Sequence, residues 1–256
     1  MSPESSPTAS PARRRPEGRT AHQIRPLSFE VGFTRYAEGS VLVRSGNTHV
    51  LCTVSIDEKV PEWMAGKGKG WVTAEYSMLP RSTHTRSRRE RDKVSGRTHE
   101  IQRLIGRALR TIVDVEALGE RQLLVDCDVL QADGGTRTAS ITGACVAVGI
   151  ALHKLQSEGR IKRPALVDTV SAVSLGLKKS EVLVDLDYEE DSTCDVDMNF
   201  VMTGRGGLVE VQGTAERKPF SRTELDALLD RADAALRTIR DEQRKTLAAF
   251  GVELPD

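Results

Sequence analysis

One segment near the middle of the chain, residues 123–140, constrains the fold more than any other. In its first part polar and apolar side chains alternate, which is typical of a strand with one buried face. The apolar face consists of Leu123, Val125, Cys127 and Val129. The strand ends at Asp133-Gly134-Gly135, where glycine allows a sharp bend and a close approach to a ligand. Apolar residues then recur at helical spacing, so the segment predicts a strand, a turn and a helix in succession.

The first turn of this predicted helix has the chemistry of an anion-binding site. A helix N-terminus carries free amides and the positive end of the helix dipole, and both favour a bound anion. Thr136, Arg137, Thr138 and Ser140 add hydroxyl groups and a guanidinium that can donate to phosphate. The alternative is an ordinary strand, turn and helix in which the hydroxyl groups only cap the helix. The local sequence leaves both interpretations open.

The charges are unevenly distributed, although the formal net charge is zero. Between Arg81 and Arg110 there are nine arginines and one lysine against three acidic residues. Between Glu181 and Asp197 there are eight carboxylates and no basic residue. A basic and an acidic segment in a neutral chain indicate a site that holds a polyanion and a cation together. For each single residue, a solvated surface is the alternative.

The acidic segment contains candidate metal ligands and proton donors. A strand predicted to begin near Asp195 would place Asp195 and Asp197 on one face of a sheet. Clustered carboxylates repel each other and need a cation or arginines to remain ionised together. Magnesium prefers oxygen ligands and keeps several waters, so one or two aspartates would hold it. A carboxyl group could also protonate a leaving hydroxyl group, and an acidic surface loop is the alternative.

Other features exclude several classes of protein. No histidine or cysteine spacing indicates a zinc site, and no G-x-S-x-G sequence indicates a serine hydrolase. The four cysteines are far apart, which favours reduced core thiols in a cytoplasmic protein. The N-terminus lacks the apolar segment of a signal peptide, and no apolar run is long enough to predict a membrane span.

The order of predicted elements indicates an α+β fold in which helices pack on mixed sheets. Residues 1–15, rich in serine, proline and alanine, are predicted to be a disordered tail. Residues 16–250 are predicted to form one domain of two similar halves that divide near Gly119. Besides the central one, strands are predicted at 25–33, 40–44, 48–56, 71–78, 169–177, 182–188, 195–203 and 209–214. Further helices are predicted after Ser95-Gly96 and at Ser221-Arg222-Thr223-Glu224, a capping box.

An anion site, a basic track and a carboxylate cluster together describe phosphoryl or nucleotidyl transfer on nucleic acid. At these residues the chain resembles the ribonuclease PH family, phosphate-dependent 3′-to-5′ exoribonucleases of bacterial transfer-RNA maturation. The resemblance covers about residues 15–243. Matching runs include Arg15-Pro16-Glu17-Gly18-Arg19, Met78-Leu79-Pro80-Arg81-Ser82-Thr83-His84-Thr85-Arg86, and residues 36–42, 70–76, 100–110, 127–140 and 209–216.

The resemblance implies a pair of βαβα-type units in the ribosomal protein S5 domain 2-like fold. It implies a homohexamer, built as a trimer of dimers, that acts in the cytoplasm as a phosphate-dependent tRNA nucleotidyltransferase. Inorganic phosphate would attack the last phosphodiester of a tRNA precursor, and also of ribosomal RNA, and release a nucleoside diphosphate. The reverse reaction would add nucleotides, and the implied cofactor is Mg²⁺ or Mn²⁺.

The resemblance also assigns roles to residues that match the family's motifs. The residues for the attacking phosphate are Arg97, Gly135, Thr136 and Arg137. The residues for RNA are Arg81, Arg86 and Arg89. Asp191 and Asp197 match the carboxylates for metal binding and acid catalysis, and the sequence leaves open which carboxylate does which.

The chain departs from the family's pattern in three places, one of which is Arg217-Lys218, which adds positive charge near Pro219-Phe220. The loop between Arg89 and Arg97 is about two residues shorter than usual and contains Arg91 and Asp92. The run Thr193-Cys194-Asp195-Val196 replaces a more typical Ala-Ala-Glu-Thr. Three rival interpretations are a catalytically silent RNA-binding ring subunit, a structural RNA-binding module and a hydrolytic nuclease.

Overall fold

The computed structural model describes Arg15, residues 18–90 and residues 93–254. The strands are β1 (Leu27–Val31), β2 (Gly39–Ser45), β3 (Thr48–Asp57), β4 (Trp71–Met78), β5 (Gln122–Gln131), β6 (Val170–Lys178), β7 (Glu181–Val184), β8 (Val196–Thr203) and β9 (Leu208–Ala215). The helices are α1 (Gly96–Arg110), α2 (Val115–Leu118), α3 (Thr136–Ser157), α4 (Tyr188–Asp191) and α5 (Arg222–Ala249).

The first sheet has five strands in the order β1-β2-β3-β5-β4. Neighbours are antiparallel except β4 and β5, which are parallel, so the sheet is mixed as the sequence predicted. Along β5, buried and half-buried residues alternate, and the predicted apolar face lies in the core. Helix α1 packs on β4, and α3 packs on β2 and β3.

The second sheet has four antiparallel strands in the order β7-β6-β8-β9. Helix α5 packs on this sheet, mainly against β6, and begins at the predicted capping box of Ser221 and Glu224. Helix α3 also contacts β6, so it touches strands of both sheets. The predicted α+β class, with helices packed on the sheets, is confirmed.

Helix α3 is buried almost all round because both sheets and two helices surround it. In the described part of the chain it is the one helix that, by length and composition alone, could cross a membrane. However, 83 % of its apolar window is buried inside the fold, as in the central helix of a compact domain.

The four cysteines form no disulfide and are buried, and burial raises the pKa of Cys145 to about 12.

The structure divides the chain differently from the predicted split near Gly119. Strand β5 follows Gly119 and pairs with both β3 and β4, so it belongs to the first sheet. The change from one sheet to the other therefore falls after β5, in the part of the chain that contains α3.

Two further predictions need correction at their boundaries. The strand predicted over 182–188 ends at Val184, because Asp185 has a left-handed φ of 55° and Asp187 starts α4 with a capping box. Residues 1–14 of the predicted tail lie outside the described residues. Arg15 is described and buried, so this last residue of the predicted tail is part of the folded body.

Candidate active site

The glycine turn, residues 133–135, leads directly into the first turn of α3. Gly134 and Gly135 have φ values of 72° and 63°, in the left-handed region that favours glycine. Gly135 is the N-cap residue and has no side chain with which to cap the helix. The first amides of α3 therefore have no side-chain cap and keep their capacity to bind an anion.

Two side chains of this first turn are held by neighbouring elements. The hydroxyl groups of Thr136 and Tyr76 lie 2.8 Å apart, and burial raises the pKa of Tyr76. Nη1 of Arg137 donates to Oε1 of Gln212 at 2.5 Å and to Oε1 of Glu100 at 3.3 Å. Arg137 is thus fixed where α1, α3 and β9 meet.

Arg97 stands in the first turn of α1, whose N-cap Ser95 accepts a hydrogen bond from the Thr98 amide at 3.2 Å. Arg97 is exposed, and its side chain makes no hydrogen bond or ion pair with any other residue that the structure describes. Its charge acts to lower the pKa values of Asp191 and Asp197, so Arg97 lies within electrostatic range of both carboxylates. Its donors are therefore available to a ligand beside them.

Asp191 and Asp197 come together from α4 and β8. Burial raises the pKa of both carboxyl groups, and the charge of Asp191 raises that of Asp197 further, to about 6. Arg97 and Arg137 partly offset both shifts. The two predicted carboxylates and two of the predicted phosphate ligands thus form one electrostatic cluster.

The carboxylates fit a divalent cation. Oδ1 of Asp197 is buried and has no hydrogen-bond partner among the described residues. An unpartnered carboxylate oxygen near a second carboxylate suits a cation that prefers oxygen ligands. No group of three or more histidine, cysteine or acidic residues in the described ranges is arranged to hold a metal. Asp191 and Asp197 would therefore hold the ion with ligands from water or substrate.

Four other acidic residues of this segment have structural partners. Asp185 and Glu190 form buried ion pairs with arginines, and the Asp187 carboxylate accepts from the Glu190 amide at 2.8 Å. The strand predicted to begin near Asp195 begins one residue later, at Val196. Oδ2 of Asp195 accepts from the Lys179 amide at 3.0 Å, in the turn between β6 and β7.

The loop from Leu79 to Ser95, here called the arginine loop, is largely irregular and exposed. Arg81 donates to the carbonyl oxygen of His84 and lines a cavity of about 540 Å³ beside the glycine turn. Arg86 and Arg89 are exposed, and the charge of Arg89 acts on Asp128 at the end of β5. Arg91 and Asp92, the unusual residues of this loop, lie outside the described residues.

Sequence reasoning did not assign a role to the residues that fix the site. Tyr76, Glu100 and Gln212 hold Thr136 and Arg137 from three other elements. No local pattern marks them, because each acts through a partner at least 37 residues away.

The comparisons with known proteins agree with this fold. A family model described as "3′ exoribonuclease family, domain 1" matches residues 23–153, and "3′ exoribonuclease family, domain 2" matches residues 168–235. The boundary between the two matches follows α3. It lies close to the change of sheet seen in the structure.

Several solved structures share the fold. Rrp46 from rice (Oryza sativa) is 21% identical with a TM-score of 0.75, covering 91% of this chain and 100% of that one. The Archaeoglobus fulgidus exosome with RNA bound to the active site contains a chain that is 22% identical, with a TM-score of 0.76 and coverage of 90% and 92%. A chain of an archaeal exosome core is 21% identical, with a TM-score of 0.71 and coverage of 90% and 91%.

Proposed function

This chain belongs to the 3′ exoribonuclease family, and we propose that it is a phosphorolytic 3′-to-5′ exoribonuclease. In the proposed reaction an oxygen of inorganic phosphate attacks the phosphorus of the last phosphodiester. The bond from that phosphorus to the 3′-oxygen of the preceding nucleotide breaks. The products are a nucleoside diphosphate and an RNA shortened by one nucleotide.

The observation that carries the proposal is that two sets of opposite charge lie within electrostatic range of each other. Arg97, Arg137 and the uncapped N-terminus of α3 lie beside the paired carboxylates of Asp191 and Asp197. Phosphate is largely dianionic near neutral pH, so it needs positioning and charge compensation more than deprotonation. Two guanidinium groups and a helix N-terminus supply both.

The carboxyl groups of Asp191 and Asp197 act on the leaving group of the proposed reaction, which is the 3′-oxygen. A carboxyl group with a pKa of about 6, as at Asp197, can donate a proton near neutral pH to a leaving 3′-oxygen. A bound Mg²⁺ or Mn²⁺ at Asp191 and Asp197 would supply positive charge for the phosphorus oxygens and the departing oxygen.

The proposed substrates are tRNA precursors with 3′ extensions, and ribosomal RNA as a further substrate. Arg81, Arg86 and Arg89 on the exposed arginine loop would contact the RNA phosphates. The archaeal structure with RNA at its active site supports RNA as the substrate of this fold. We further propose a cytoplasmic homohexamer, a trimer of dimers, that adds nucleotides when nucleoside diphosphate exceeds phosphate.

The test uses purified protein, magnesium and a tRNA with a short 3′ extension, with and without inorganic phosphate. We expect nucleoside diphosphates only when phosphate is present. Nucleoside monophosphates without phosphate would identify a hydrolase and contradict the phosphate-site assignment. RNA binding without any product would identify a catalytically silent RNA-binding subunit.

A matched pair of variants tests the assignment of the carboxylates. Asp197→Asn should lower turnover by about a hundredfold or more while RNA binding remains, because it removes a carboxyl group that acts as proton donor or as metal ligand. Asp195→Asn, two residues away, should leave turnover unchanged, because that carboxylate accepts from a backbone amide in a turn. Equal turnover in both variants would contradict the assignment.

A further inference from the structure

Three arginines of the N-terminal segment are buried against the loop that carries Asp191. We call Arg15, Arg19 and Arg25 the N-terminal arginine cluster, and residues 185–191 the carboxylate loop. The side chains of Arg15 and Glu190 are 5% and 8% exposed. Arg15 Nε donates to Oε1 of Glu190 at 2.6 Å, and its Nη2 pairs with Oε2 of the same carboxylate. The pair is therefore bidentate and shielded from solvent.

Arg15 and Arg19 also hold the backbone of the carboxylate loop. Arg15 donates to the carbonyl oxygens of Val184 at 2.6 Å and Asp185 at 3.0 Å. Arg19 Nη1 donates to the same Asp185 carbonyl at 3.1 Å. Burial opposes ionisation of Glu190, but the hydrogen bond and charge of Arg15 hold its pKa below the usual value.

Arg25 connects the carboxylate loop to the glycine turn. Its Nη2 donates to Oδ1 of Asp185 at 2.7 Å, and its Nε and backbone amide donate to Oδ2 at 3.1 and 2.7 Å. Its Nη1 donates to the carbonyl oxygen of Asp133 at 2.5 Å. One guanidinium thus fixes the distance between the phosphate-binding turn and the loop that ends in Asp191.

The carboxylate loop depends on such contacts for its shape. Asp185 has a φ of 55°, a conformation that a residue with a side chain adopts only when its surroundings hold it. Helix α4 is a single turn of four residues, too short to be stable by itself. Glu190 is the residue next to Asp191, so the ion pair that fixes Glu190 also fixes the backbone of Asp191.

We propose that Arg15 is a positioning residue: through Glu190 it holds Asp191 at the distance from the bound phosphate that turnover requires. The inference rests on the proposed function, since it assigns a role in that reaction. Arg15 itself touches no reacting atom. A buried ion pair is a weak source of net stability, so stability alone is a poor reason for its presence.

The kinetic test compares Arg15→Met with Arg15→Lys in the full chain. Arg15→Met should lower kcat about tenfold or more, because small displacements of a catalytic group have large effects on rate. The KM for phosphate should stay within about twofold, because Arg97, Arg137 and α3 hold phosphate independently of Arg15. Arg15→Lys restores the charge without the bidentate geometry and should recover part of kcat.

Arg240→Met is the matched control, because Arg240 donates to the Gly204 carbonyl at 2.8 Å at the opposite end of β8 from Asp197. It should change thermal stability without changing kcat. If Arg15→Met lowers stability as Arg240→Met does and leaves kcat unchanged, the role of Arg15 is purely structural and the inference is overturned. A kcat that falls only in proportion to the folded fraction would overturn it too.

Hydrogen exchange separates this inference from the proposed function, because it needs no activity. In Arg15→Met the backbone amides of 185–191 should exchange faster, while those of α3 exchange as in the unaltered protein. If the unaltered protein released no nucleotide, the proposed function would fail, and faster exchange confined to 185–191 would still support the positioning of Asp191. Unchanged exchange in this loop would overturn the positioning role in either case.

Discussion

At the scale of one residue, burial and a neighbouring charge destabilise the ionised form of Asp197. Its Oδ1 is buried without a hydrogen-bond donor, and its pKa of about 6 lies above the ordinary 3.8 because of burial and the nearby Asp191. The ionised form is therefore less stable in the folded protein than in the unfolded chain. A bound cation or the protonated form would relieve this cost.

The first prediction concerns stability and pH in the absence of metal. Between about pH 4 and pH 6 the folded protein holds more protons on Asp197 than the unfolded chain does, so stability falls as pH rises through this range. Asp197→Asn removes that fall and should be more stable than the unaltered protein at pH 7.5 by up to about 3 kcal/mol. At pH 4 the two should be equally stable.

Chemical denaturation in a chelating buffer at both pH values measures this difference. Asp195→Asn controls for the loss of one negative charge in the same region, and we expect no comparable gain. A gain for Asp197→Asn that is equally large at pH 4 would show that the carboxylate charge is not the cause.

At the scale of elements, the glycine turn needs glycine for two reasons: its backbone is left-handed, and neighbouring atoms leave little room for a side chain. A Cβ on Gly134 would lie 2.5 Å from the Leu186 carbonyl oxygen, so the turn and the carboxylate loop approach more closely than a side chain allows. A Cβ on Gly135 would lie 3.0 Å from both Arg25 Nη2 and Thr138 Oγ1. The turn is therefore fitted to its neighbours on both sides.

The second prediction compares two glycines with similar φ values. Gly135→Ala and Gly206→Ala should each cost about 1 to 2 kcal/mol of stability, because both positions have a left-handed backbone. Only Gly135→Ala should raise the KM for phosphate, since its Cβ displaces Arg25 and the start of α3. Nothing lies within 4 Å of a Cβ on Gly206, in the turn between β8 and β9. Equal phosphate KM values would contradict a role of the turn in phosphate binding.

The sequence predicts elements well where the pattern is local. The alternation in β5, the glycine turn and the capping box of α5 all depend on residues close together in the chain, and the structure confirms them. The end of β7 could not be predicted, because the left-handed φ of Asp185 is stabilised by Arg25, 160 residues earlier. The roles of Glu100 and Gln212 were missed for the same reason.

At the scale of the whole molecule, the arginine loop predicts how RNA affinity responds to salt. Each arginine that contacts a phosphate of single-stranded RNA releases counterions on binding. Replacing Arg86 and Arg89 with glutamine should lower the slope of log affinity against log salt by about 1.4. Filter binding of a tRNA 3′ extension at several salt concentrations measures the slope.

Arg222 and Arg237 on α5 provide the control for this third prediction. Both are exposed and paired with acidic residues one turn away. Their double replacement with glutamine removes the same charge from another surface and should leave the slope unchanged. A similar change of slope in both double variants would indicate non-specific charge attraction rather than contact with the arginine loop.

The fourth prediction concerns assembly. One subunit offers a short basic track, so neighbours in the proposed hexamer would extend it and retain the RNA between turnovers. Dilution to monomers should therefore reduce activity on structured RNA more than activity on a dinucleotide. Mass photometry at the assay concentration gives the oligomeric state, and monomers with full activity on structured RNA would contradict the prediction.

The contact between Arg15 and Glu190 joins residues 175 positions apart. During synthesis Glu190 is therefore made 175 residues after Arg15. A loop of this length closes late, because its ends must first be brought together by the folded sheets. Under the proposed function, Asp191 is not yet positioned in a chain that is still being synthesised, so this chain cannot degrade the RNA around it. Truncated chains of increasing length, released from the ribosome, should show nuclease activity only when they include the second sheet.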